Sequence, residues 1–281
     1  NRMPPLYFLI LKILFPESNF IYNTRLLSLF FSLITTLFLY KISRLWLDPE
    51  FSLCISVCGL FGSNSFIEAS IDARPYSLCL LILTIFIYTI LNYEIRARNK
   101  NINKYILFFL CTILPFCHYL YGITAFFLGL AHVFINTGKK WEVFKIYLCS
   151  GIIFVVFHLM LFLEQQQFGN LLAIIAFPTF ERLTSYLVGF LSLDFLLIVV
   201  FFSTFVYYIE KKTPFSIQNS TISLLQISCA LSLVFIIGVL IARMFPNSLW
   251  FLPRYYIGTV LIVPLVIIFI FSLIRNRIFN Y

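Results

Sequence analysis

Residues 67–76 read IEASIDARPY and set Glu68, Asp72, Arg74 and Tyr76 beside the start of a long apolar run. Ionisable groups at membrane depth are costly and mark functional sites by default. Arg74 offers a planar, permanently charged fork that matches a phosphate. The plainer reading of the segment is a solvated loop with a local Asp72–Arg74 pair. A second cluster, FLPRYY at 251–256, places Arg254, Tyr255 and Tyr256 before the last apolar run. It could hold an anionic head group, or serve as an interfacial anchor of the kind Tyr and Arg often form. Arg254 has no carboxylate within ten residues on either side. A third cluster, His118-Tyr119-Leu120-Tyr121, carries an imidazole that could act as a general base or simply hydrogen-bond within an aromatic belt.

Other polar residues carry less. His132 and His158 fall inside apolar runs with no carboxylate at ligand spacing, so no metal site is expected from them. Asp194 lies in a later run and reads equally as a helix-end residue or a site residue. The seven Cys (54, 58, 79, 111, 117, 149 and 229) all fall inside or at the ends of apolar runs, without a C-x-x-C pair. They read as small apolar fillers, with no disulfide framework and no zinc site.

The elements that must position these groups follow from composition. The chain has 281 residues, of which 61% are hydrophobic and 11% charged. A soluble domain carries about a quarter charged residues, so lipid must be the solvent for most side chains here. Backbone groups in lipid must bond within their own segment or in a closed barrel. The apolar runs are long and do not alternate, which selects helices. The fold class expected is all-α, a polytopic transmembrane bundle. Nine spans are expected at about 24–40, 51–66, 76–93, 105–117, 119–136, 146–163, 187–208, 222–241 and 257–274, preceded by an interfacial helix over 4–15. Residues 164–186 read as a connection on the external membrane surface. No soluble domain, repeat or coiled coil is visible. The net charge of +9 is explained by topology rather than by nucleic acid. The basic stretches 96–104 and 139–145 both belong on the cytoplasmic side. The chain must therefore turn between them, near Pro115 and His118, with the hairpin tip external. Lys41, Arg44, Lys211, Lys212, Arg275 and Arg277 join the cytoplasmic face. Arg2, Lys12, Arg25, Arg74, Arg182, Arg243 and Arg254 lie at or near the external one.

PPLYFLILK, EASIDARPYSLCLLIL, HYLYG and PRYYIGTVLIVPL now stand in one order along nearly the whole chain. This set resembles the polytopic GT-C glycosyltransferases, specifically bacterial relatives of protein O-mannosyltransferases and of the aminoarabinose transferase. The family carries H-P-P-L-Y-Y-like, E-A-R-x-Y-A-L-like, T-H-Y-like and R-Y-L-x-P-x-x-P patterns. Met3 stands where the family has His. The family's first span and first external loop, with the Asp taken as catalytic base, would lie upstream of Asn1. The sequence opens without an initiator Met and reads as a fragment in which residues 1–281 form one transmembrane domain.

The resemblance implies a multi-pass protein of the bacterial inner (plasma) membrane with its active face external. It implies transfer of a sugar from a polyprenyl-phosphate donor to a hydroxyl on a lipid, glycan or protein. The catalytic base is then unassigned within this chain. Arg74, Arg254 and Tyr255 become the donor-phosphate residues, with Glu68, Asp72, Tyr76, His118 and Tyr119 as further site candidates. No cofactor is required by these residues, and a divalent cation stays an open alternative. The partners expected are the lipid-linked donor and membrane lipids, not nucleic acid. A lipid-linked oligosaccharide flippase or other transporter is the alternative, and a membrane subunit without chemistry is a third. A flippase should place charges along a path between both faces, whereas the unusual residues of the sequence gather on one.

Overall fold

A computed structural model describes residues 6–15, 20–72, 74–95, 100–118, 120–135, 140–166, 219–244 and 258–278. The described residues are helical, with no strand among them. The helices are α1 (Leu6–Leu14), α2 (Phe20–Ser43), α3 (Pro49–Phe61), α4 (Asn64–Ile71), α5 (Tyr76–Ile95), α6 (Lys100–Cys117), α7 (Leu120–Ile135), α8 (Lys140–Gln166), α9 (Asn219–Met244) and α10 (Ile262–Ile278).

Among the described residues, two helices are long and apolar enough to cross a membrane: Tyr22–Ser43 of α2 and Tyr76–Ile95 of α5. The α3–α4 pair makes a third only if its bend is counted inside one span. Shorter apolar helices cover Asn103–Cys117, Tyr121–Ile135, Ile222–Val234 and Gly258–Leu273. The expected span at 187–208 and the connection at 164–186 lie mostly or wholly outside the described residues.

α5 is the centre. Fifteen of its twenty residues are buried, and they point in every direction. A helix that is apolar all round belongs inside a bundle. α2, α4, α6, α7 and α9 all pack on it. Its closest neighbour, α2, meets the core with Thr24, Ser28, Ser32 and Thr35, none more than 1% exposed. Small hydroxyl side chains let two helices approach closely. Two of these hydroxyls are satisfied by the preceding turn, Ser32 Oγ donating to the Ser28 carbonyl at 3.0 Å and Thr35 Oγ1 to the Phe31 carbonyl at 2.8 Å. The opposite face of α2 exposes Leu26, Leu29, Phe30, Leu33 and Leu37. A continuous apolar stripe of this length suits lipid rather than water.

Two local features differ from the sequence expectation. The single span expected over 51–66 is broken. Pro49 starts α3 behind the extended Asp48. Gly62 ends it, and the extended Ser63 starts α4 with the chain turned by 77°. The stretch expected as loop 67–76 is helical to Ile71, so Glu68 sits on α4 and not in a loop. Once Ser63 resets the backbone, its carbonyl accepts from Phe66 and Ile67, and a new helix can propagate.

Residues 100–135 form two helices that meet at His118. Pro115 lies inside α6 and removes one ladder bond near its end. Tyr121 N–H then donates to the His118 carbonyl at 2.9 Å and restarts the helix. α6 and α7 pack against each other. α7 presents Gly122 and Gly129 to α8. A Cβ at these positions would stand 2.7 Å from the Phe154 ring and 2.9 Å from the Tyr147 ring.

Candidate functional site

The turn from α4 into α5 gathers several of the residues singled out above. Asp72 ends α4 in an extended conformation, its N–H held by the Glu68 carbonyl at 2.9 Å. The Asp72 carbonyl accepts from Ser28 Oγ of α2 at 2.8 Å. Ser28 in turn lies 3.4 Å from the hydroxyl of Tyr7, a fully buried residue of α1. Tyr7 of α1, α2 and the Asp72 turn are thereby tied at one point.

Arg74 Nε stands 3.5 Å from Asp72 Oδ2, with the two side chains 37% and 41% exposed. Such a solvated pair contributes about 0–1 kcal/mol, but it gives Arg74 an anionic partner already. An opening of about 740 Å³ lies beside it, lined by Tyr22, Arg25, Leu26, Leu29, Glu68, Ser70, Ile71 and Asp72. Arg25 and Glu68 are exposed at this opening, and neither side chain has an ion-pair partner among the described residues. The sequence placed Arg25 on the external side without a role. Its relation to Glu68 and Asp72 depends on the packing of α2 against α4, which no spacing reveals.

Tyr76 and His118 meet at the same end of the bundle. Their ring centroids are 6.3 Å apart, and His118 lies 6.3 Å from Tyr121. The Tyr121 hydroxyl accepts the Gly258 N–H at 3.1 Å, fixing the start of the last helical stretch. A Cβ at Gly258 would press on Leu83 at 2.6 Å. His118 is not among the described residues lining the opening. Tyr119, Arg254 and Tyr255 lie outside the described residues.

Burial pushes the His118 pKa down to about 4, so the imidazole is neutral at physiological pH. Its chemistry is then that of an acceptor or a neutral donor. The unfolded chain binds a proton at His118 near pH 6.5 and the folded one does not until about pH 4. Stability is therefore fully present above the unfolded value and is lost as pH falls towards the folded one. Melting of the purified protein between pH 8 and pH 4 should show a loss on the order of 2 kcal/mol, allowing for partial solvent access. His118→Gln should flatten that part of the profile. An unchanged slope in the variant would remove His118 as its source.

The opposite end of α5 holds a cluster that the sequence reading did not find. His132, with no carboxylate at ligand spacing in the sequence, has Glu94 Oε1 at 2.8 Å from its Nε2. Its Nδ1 lies 2.6 Å from the Tyr147 hydroxyl. The partners come from α5 and α8, and no local spacing could have shown them. The signal available was that Glu94 is the one acid in α5. Lys104 and Glu142 form an ion pair nearby, between α6 and α8. No group of three or more His, Cys, Asp or Glu residues is placed to hold a metal ion among the described residues.

No family model matches the chain, and no curated protein or solved structure is significantly similar to it.

Proposed function

We propose that the protein is a membrane glycosyltransferase that moves a sugar from a polyprenyl-phosphate donor to a hydroxyl acceptor, working at the Arg25–Glu68–Asp72 end of the bundle. One observation carries this reading. A guanidinium and a carboxylate, each without an ion-pair partner among the described residues, share one opening at the end of an apolar helix bundle, with Tyr7 of the PPLYF segment tied to the same turn. The donor's tail would stay in lipid while its phosphate meets the opening. Departure of the lipid phosphate builds negative charge, which fixed Arg groups stabilise in the transition state. Arg25 is the available cation of the described residues there, with Arg74 held by Asp72. Arg254 and Tyr255 keep the phosphate-binding role implied by the resemblance. On this reading Glu68, exposed at the same opening, accepts the acceptor's proton. On this reading the protein is multi-pass, with this end on the external side of a bacterial inner membrane.

The test uses the full-length protein in membranes with a polyprenyl-phosphate sugar, following transfer to added acceptor lipids and glycans. Arg254→Ala should nearly abolish transfer. Arg254→Lys, which keeps the charge but loses the fork, should be partly active. A protein that folds and transfers no sugar under any of these conditions would end the reading.

One observation favours the second reading, a transporter. Ionisable clusters occur at both ends of α5, including the partly buried Glu94–His132–Tyr147 set. The discriminating measurement is movement of a fluorescent lipid-linked sugar across proteoliposomes without any transfer product.

A further inference from the structure

The Glu94–His132–Tyr147 contacts lie apart from the opening and take no part in the proposed sugar transfer. Glu94 is the outer member, its side chain 17% exposed, whereas His132 is fully buried. Tyr147, the member from α8, lines an apolar groove of about 590 Å³ between α6, α7 and α8. Ser150, one turn further along α8, lines the same groove and accepts from Thr112 Oγ1 at 3.1 Å. A string of polar groups thus runs from a partly wet carboxylate, through a dry imidazole, to the wall of an otherwise apolar cavity.

Two hydrogen patterns satisfy these distances equally. In one, Nε2–H donates to the Glu94 carboxylate and Nδ1 accepts from the Tyr147 hydroxyl. In the other, an imidazolium donates from both nitrogens, and the phenol proton is free to turn towards the groove. The two patterns differ by one proton and by no heavy-atom movement. A static clamp would need only one of them. Ionisable groups inside membrane bundles characteristically form chains of this kind for proton movement.

We propose that Glu94, His132 and Tyr147 are a proton-transfer relay, whose ligand is the proton, linking the end of α5 at Glu94 to the groove at Tyr147. A proton delivered to Tyr147 Oη by water reaching the groove displaces the phenol's own proton to Nδ1. The resulting imidazolium is held by the Glu94 carboxylate. Its Nε2 proton then passes to Glu94 Oε1 and leaves to solvent at the bundle end, and rotation of the imidazole, left protonated at Nδ1, restores the starting tautomer before the next proton. Each step breaks one O–H or N–H bond and forms another, and a proton is the sole thing gained or lost.

The neighbouring titratable groups are few among the described residues. From α5, the Tyr93 ring stands edge-on at 5.3 Å from His132. α6 brings Cys111, which also lines the groove, and Lys104, paired with Glu142 of α8. On α2, Lys41 turns to the Phe38 ring at 4.7 Å. α9 packs on α7 and carries Cys229 on its exposed side.

The test is infrared difference spectroscopy of the purified protein in lipid nanodiscs, stepped between acidic and alkaline pH with isotope-labelled Glu and His, together with hydrogen–deuterium exchange at the His132 ring. The native protein should show carboxylate and imidazole bands changing in one step. Glu94→Gln should delete that carboxylate band. Tyr147→Phe keeps the ring and its packing but removes the transferable proton, so it should slow exchange at His132 on the order of a hundredfold. Circular dichroism and melting of each variant report folding, and if Glu94→Gln fails to fold, the near-isosteric Tyr147→Phe carries the test. An absence of any His132 or Glu94 band change across the range, or unchanged exchange in a folded Tyr147→Phe protein, would make the cluster a static clamp and overturn the relay.

Discussion

Arg25→Ala should cut sugar transfer by about 30-fold to a few thousandfold, the equivalent of about 2–5 kcal/mol for an Arg contact to an anion once the donor has expelled water. The guanidinium sits at the opening without an ion-pair partner among the described residues. Its exposure means the bundle should fold as before, within about 0.5 kcal/mol. Most of the loss should fall on turnover if the contact tightens as phosphate charge develops. Arg74→Ala should cost far less, because Asp72 already neutralises Arg74 at 3.5 Å. The comparison of the two variants in one transfer assay is the informative measurement. Native turnover in Arg25→Ala, or a larger loss in Arg74→Ala, would move the phosphate site away from Arg25.

The largest effect on stability should come from Gly129→Val. A Cβ at this position meets two atoms of the Tyr147 ring at 2.9 Å. The ring has little room to retreat, since its hydroxyl is bonded to His132 and its face lies near Phe86, 6.1 Å between centroids. Overpacking of this kind costs about 1–3 kcal/mol. Losing the bond to a buried imidazole adds about 1–3 kcal/mol for the group left unsatisfied. The expected total is about 2–6 kcal/mol, read as a large drop in melting temperature in detergent. Gly122→Val presses on the Phe154 ring at 2.7 Å and should show the packing part alone. Gly151→Ala is the control, since a Cβ there meets nothing within 4 Å and Ala favours the helix. Equal losses at 122 and 129 would mean that the Tyr147–His132 bond contributes nothing to stability.

Much of the helical pattern was legible because lipid-facing helices need long apolar runs. α5 is the clearest case: its residues are apolar in every direction, and it stands at the centre. The division of 100–135 into two helices was legible from the basic stretches on either side, which force a turn. The bend at Gly62–Ser63 was not legible. The residues on both sides are apolar and helix-compatible, and only tertiary packing selects the break. At the candidate site, Glu68, Asp72, Arg74 and Tyr76 stood out because charge is rare in this chain. Arg25 was visible as a charge but not as a neighbour of Glu68. The same limit hid Glu94 from His132, since contacts between helices far apart in sequence follow from packing and not from spacing.

The broken α3–α4 pair bears on how the chain enters its bilayer. At 1.5 Å per residue the thirteen residues of α3 reach about 20 Å, short of the roughly 30 Å of hydrocarbon. α3 cannot stand alone as an inserted segment, and neither can the eight residues of α4. α2 and α5 can, and they are each other's principal packing neighbours. Biogenesis should therefore begin with these two anchors leaving the insertion machinery. The kinked pair between them would be drawn in afterwards, its polar elbow sheltered by helices already in place. The order of insertion then differs from the order of synthesis, and the Asp72 turn would be among the last parts of the described bundle to reach its final surroundings.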